Sequence, residues 1–68
     1  MNGDEKEKLR ILLDYWIKHN KEHGEEFREW AEKAKEGGEA AIYEELMSAV
    51  QQMENINIPL SKAMKLLG

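Results

Sequence analysis

The sequence predicts an all-α protein: an antiparallel helical hairpin that pairs with a second copy as a four-helix bundle. Three observations predict it. Ala, Glu, Lys, Leu and Arg supply 35 of the 68 residues, the composition of coiled coils and long helices. Threonine is absent and Ile plus Val number six, too few β-branched residues for a sheet. Apolar residues recur at alternating steps of four and three on both sides of a Gly37-Gly38 pair, the spacing of helices that pack along a seam.

The first helix is expected over about residues 4–36. Asp4 followed three residues later by Glu7 has the form of a capping pair, and acidic residues in a first turn suit the helix dipole. The stripe then runs through Leu9, Leu13, Trp16, Asn20, His23, Phe27, Trp30 and Ala34. Gly37-Gly38 ends it, because glycine reaches left-handed backbone angles without a Cβ clash. The second helix is expected over about residues 39–67, with the stripe Ile42, Leu46, Ala49, Met53, Ile56, Leu60, Ala63 and Leu67. Residues 1–68 are thus read as one helical domain. Pairing the stripes outward from the turn sets Ala34 on Ile42, His23 on Met53 and Leu9 on Leu67, so that every pair of numbers totals 76.

Two residues strain this reading. Gly24 costs about 1 kcal/mol relative to alanine inside a helix, and Pro59 about 3 kcal/mol or more. The heptad register passes through both, which favours a continuous first helix and a second helix kinked at Pro59. In the rival arrangement Asn57 caps a separate third helix, with Pro59 in its first turn.

Composition excludes several functions. Ten Lys and Arg are interspersed among 14 Asp and Glu, a net charge of −4, so no basic stripe exists to release counterions from nucleic acid. No stretch approaches the ~20 apolar residues of a membrane span, and the acidic start does not suit a signal peptide. A cytoplasmic chain is the expectation. Without cysteine there is no thiol catalysis and no thiolate metal site.

Apolar residues spill beyond the predicted seam: Ile11, Leu12, Tyr15 and Ile17 on the first helix, and Tyr43, Met47, Val50, Ile58 and Met64 on the second. So wide an apolar face has to be covered, and a chain this short needs help to build a core. A homodimer answers both needs.

One polar cluster interrupts the stripe. His19, His23 and Glu26 stand at i, i+4 and i+7 on one helix face. Two imidazoles and a carboxylate suit a transition metal such as Zn, Ni, Cu or Fe, with Zn or Ni the first choices. Asn20, Asn55 and Asn57 form an expected polar layer, in which the Asn55 carbonyl, deprived of its donor by Pro59, accepts from Asn20 or a histidine. The first reading gives these residues no ligand at all and has them fix register, with the metal site as the alternative. His19 to His23 also spells H-x-x-E-H, the inverted zinc-protease pattern, but no third ligand or peptide cleft accompanies it. No enzymatic activity is expected.

The run Leu12 to His23, then Phe27, Trp30-Ala31 and Ala34, resembles a small uncharacterised family of prokaryotic helical domains. Its pattern is Trp-Ile-x-His-Asn-x-x-His followed by Phe-x-x-Trp-Ala, here carried by Trp16, Ile17, His19, Asn20, His23, Phe27, Trp30 and Ala31. The resemblance spans residues 9–67 and implies His19, Asn20 and His23 as matched positions, with no assigned activity. This chain departs from the pattern at Tyr15, where histidine is expected, and at Gly24, where alanine is expected. If Tyr15 replaces a ligand, any metal site here is weakened. Two functional expectations follow: a non-enzymatic, self-associating interaction module or, alternatively, a transition-metal binding or sensing protein.

Overall fold

A computed structural model describes all 68 residues as two helices and no strands: α1, Gly3–Glu36, and α2, Ala40–Leu67. The cap of α1 lies two residues before the expected one. Asn2 Oδ1 accepts from the Glu5 backbone N–H at 2.8 Å, and the Glu5 carboxylate accepts from the Asn2 N–H at 3.3 Å. This is a complete capping box, and asparagine is among the strongest residues at that position. Asp4 instead sits inside the first turn, where it faces the positive end of the dipole.

The reversal uses three residues, Gly37 to Glu39. The Gly38 N–H donates to the Lys35 carbonyl and the Glu39 N–H reaches back to the Ala34 carbonyl at 2.8 Å, the two bonds of a Schellman motif. That motif requires a left-handed residue at its tip. Gly38 supplies it at φ +81°.

α2 runs unbroken through Pro59, which excludes a third helix headed by Asn57. The seam differs from the expected one by a single residue in every layer, alternately on α1 and on α2. Asn20 bonds Asn57, and a Cβ on Gly24 would stand 3.8 Å from the Met53 Cβ, so paired numbers total 77. Continued along the hairpin, the register aligns Arg10, Leu13, Ile17, Asn20, Gly24, Phe27, Ala31 and Ala34 with Leu67, Met64, Leu60, Asn57, Met53, Val50, Leu46 and Tyr43. The three buried residues, Leu13, Ala31 and Val50, all belong to it. Arg10 closes the open end by donating to the Gly68 carbonyl at 2.6 Å.

Volume explains the correction. Packed helices lie about 8–10 Å apart, too close for an indole on the line between them. Gly24 and Ala31 take that line, whereas Trp16 and Trp30 are displaced to its flank and remain 42% and 60% exposed. Half of each expected stripe survives, since Leu13, Asn20, Phe27 and Ala34 are common to both registers, as are Leu46, Met53, Leu60 and Leu67.

Antiparallel pairing gives the hairpin two unlike broad faces. Residues just after each seam position fall on one face for both helices, and residues just before fall on the other. The first face carries Asp14, Lys18, Lys21, Glu25, Arg28 and Glu54, with Arg28 and Glu54 paired across the helices at 3.4 Å. The second carries Trp16, His23 and Trp30 from α1, with Leu12 and His19 beside them, and Ile42, Ala49, Ile56 and Ala63 from α2, with Leu66 at its end. Six of the ten exposed large apolar residues lie there: Leu12, Trp16, Trp30, Ile42, Ile56 and Leu66. Neither helix is long and apolar enough to cross a membrane.

Candidate functional site

The polar cluster divides between the seam and the apolar face. In the seam, the Asn20 Nδ2 donates to Asn57 Oδ1 at 3.1 Å, and Asn57 Nδ2 donates to the Ile17 carbonyl at 3.1 Å. Both asparagines are half-buried, so each amide finds a partner that water does not need to supply. Asn55 has no part in this layer. It is exposed, it accepts from Gln51 Nε2 at 3.1 Å, and no side chain donates to its carbonyl. The reason is angular: residues 55 and 57 lie about 200° apart around a helix, so one can face α1 only if the other faces away.

An aromatic column climbs α1 at steps of four, from Tyr15 on the outer side through His19 and His23 on the apolar face to Phe27 in the seam. Tyr15 meets His19 edge-on at 5.2 Å between centroids, His19 meets His23 edge-on at 4.3 Å, and His23 stacks on Phe27 at 5.9 Å. The two imidazoles point their Nε2 atoms towards each other, 2.9 Å apart. Their centroids are closer than a head-on approach of two ring nitrogens would hold them, so the ring axes converge at an angle. Tyr15 and Phe27 pack at the two ends and limit rotation of the pair.

Of the three expected donors, the structure brings two together. Glu26 lies beside Nδ1 of His23 at 3.9 Å, away from Nε2, and no group of three His, Asp or Glu side chains gathers within reach of one ion. An i+3 carboxylate reaches the near edge of the ring, and Nδ1 is on that edge. At 3.9 Å the contact is electrostatic. Glu54 of α2 is on the opposite face with Arg28.

A shallow groove opens on the charged face where Gly24 lacks a side chain, bordered by Lys21, Glu25, Arg28, Met53 and Glu54. Its charges balance and two of them already pair, which leaves no net field to draw a charged ligand.

Residues 9–67, nearly the whole hairpin including both histidines and the asparagine layer, match the family described as a domain of unknown function (DUF8180). The chain belongs to this family. An uncharacterized protein of Archaeoglobus fulgidus is 37% identical over 62 residues, covering 91% of this chain and 98% of that protein. No solved structure matches the chain. The domain of unknown function therefore corresponds here to the hairpin from Leu9 to Leu67, which holds every residue of the imidazole pair and the apolar face.

Proposed function

We propose that this protein is a non-enzymatic, self-associating helical module whose apolar faces pack together as a twofold four-helix bundle. The observation that carries this reading is the segregation of Leu12, Trp16, Trp30, Ile42, Ile56 and Leu66 to one side. Scattered surface apolar residues need no explanation, but a contiguous patch marks an interaction site.

Area supports a second copy as the occupant. A compact monomer of 7.9 kDa exposes about 4,400 Å² by the usual scaling, whereas this hairpin exposes 5251 Å². The excess, about 800 Å², matches what each partner contributes to a standard stable interface. The pattern on the face is also self-complementary. Trp16 and Trp30 are evenly spaced about His23, and α2 alternates Ile42, Ala49, Ile56 and Ala63. A twofold axis crossing the hairpin near His23 lays α1 on α1 and α2 on α2, antiparallel. Large residues of α2 then meet small ones of the other copy, as layers of native density require.

Sedimentation equilibrium of the full chain at micromolar concentration tests the reading. The expected mass is twice that of one chain, and Trp30→Glu should reduce it to one. A wild-type chain that stays monomeric at hundreds of micromolar would sink the proposal.

A further inference from the structure

We infer that His19 and His23 form a chelating pair for a late first-row divalent cation, nickel or copper in the first instance, and that two copies of the chain share one ion. The sharing rests on the self-association above. The chelate rests on geometry within one chain.

Two Nε2 atoms 2.9 Å apart have a common point about 2.0–2.1 Å from each, the usual metal–imidazole distance. At that point the two nitrogens subtend about 90°, the angle of neighbouring ligands in square-planar or octahedral coordination, the geometries of Cu(II) and Ni(II). Tetrahedral zinc would need the nitrogens to spread by about 0.4 Å. The converging ring axes, the T-shaped packing of the two imidazoles, and the Tyr15 and Phe27 rings at either end hold this arrangement. Glu26 stands 3.9 Å from Nδ1 of His23, on the side of the ring away from the ion position. In the metal-free chain the two Nε2 atoms share one hydrogen bond at 2.9 Å. To take a cation, the ring that carries that Nε2 proton shifts it to its own Nδ1 by exchange with water, so that both Nε2 lone pairs face the ion and both imidazoles stay neutral.

One chain supplies no third side-chain donor to this point. Two nitrogens alone hold a divalent ion weakly, so the other positions fall to water or to a second copy. His23 lies at the centre of the Trp16 to Trp30 interval and near the middle of α1. A twofold axis at that level brings the imidazole pairs of both copies to the same part of the interface, with Glu22 of each copy at its edge. No ring needs to leave the apolar face for this to happen.

Two measurements on the full chain separate the site from the association. Sedimentation in EDTA reads association alone: a dimer supports the shared arrangement, and a monomer overturns it whatever nickel does. Calorimetric titration with Ni(II), repeated with Cu(II) while following its visible absorption, reads the site. The expected stoichiometry is one ion per two chains, with affinity falling at least tenfold in His19→Gln and in His23→Ala. His19 is exposed, so His19→Gln should keep its helical circular dichroism and remain a fair test if His23→Ala loses stability. Wild-type affinity in the His19→Gln variant, one ion per chain in a dimer, or a dimer that takes up neither metal would each overturn the proposal.

Discussion

The two broad faces of the hairpin are built from the same helices and the same heptads, yet they solve opposite problems. The charged face alternates acids and bases along α1, and its one cross-helix ion pair, Arg28 with Glu54, has both side chains more than half exposed. Its exposed large apolar residues are Ile11 and Ile58. The opposite face offers indoles, isoleucines and imidazoles to solvent, with Glu26, Lys33 and Glu45 as its charged interruptions. A pair of helices can bury about one stripe each, and this chain carries an apolar surface three heptad positions wide. The difference teaches that the hairpin seam and the apolar face are distinct layers, with Gly24 and Ala31 on the seam line and Trp16 and Trp30 on the face beside it.

The largest effect should come from charging the apolar face. Trp30→Glu with Ile56→Lys is expected to weaken self-association by two orders of magnitude or more, since central aromatic anchors carry most of an interface's energy. Dilution series followed by sedimentation would show it. Unchanged mass would mean that the face is not the interface and that its exposure has another cause.

Next in size is the asparagine layer, which belongs to the seam. Asn57→Leu leaves Asn20 and its amide half-buried without a partner, which should cost about 1–3 kcal/mol in urea denaturation. The double variant Asn20→Leu, Asn57→Leu should recover most of that loss, because an apolar pair replaces a satisfied polar one at little net cost. A double variant as unstable as the single would show that the amides do more than satisfy each other.

These seam residues also show where the sequence was legible. The glycine reversal and every second seam residue follow from period and punctuation, whereas the cap of α1 is Asn2 and not the expected Asp4. The intervening residues do not, because His23 and Gly24, or Trp30 and Ala31, offer two neighbouring stripes with equal periodicity. Hydrophobicity favours the tryptophan stripe, whereas close approach of two backbones favours the glycine and alanine stripe. Only a pairwise distance decides between them. The imidazole pair was legible for a local reason, since i and i+4 on a helix always adjoin. Glu26 was not, because which ring nitrogen a carboxylate meets depends on side-chain rotamers. Asn55 was assigned from the carbonyl that Pro59 frees, but Asn55 is exposed and no side chain donates to that carbonyl.

Gly24 gives a smaller, stabilising effect. An added Cβ would make ordinary contact with Met53 at 3.8 Å, so Gly24→Ala keeps the seam and gains helix propensity of about 1 kcal/mol. Thermal melting should rise by about 4–8 °C for a chain of this size. A fall would show that the helices approach more closely here than the contact indicates. The same substitution at Gly38 should go the other way, because its positive φ admits alanine only with strain.

The smallest effect is expected on the charged face, and it gives the comparison its control. Arg28 and Glu54 stand 3.4 Å apart with side chains 53% and 59% exposed, so water and salt screen most of their attraction. Arg28→Ala should cost less than about 0.5 kcal/mol, shrink further in high salt, and leave the sedimentation mass unaltered. The aliphatic stem of Arg28 also borders the Gly24 groove, so Arg28→Met separates lost packing from lost charge. Should Arg28→Ala change the mass as strongly as Trp30→Glu, both faces would be interfaces. A hairpin covered on two opposite sides would then build an open stack of copies in place of a closed pair.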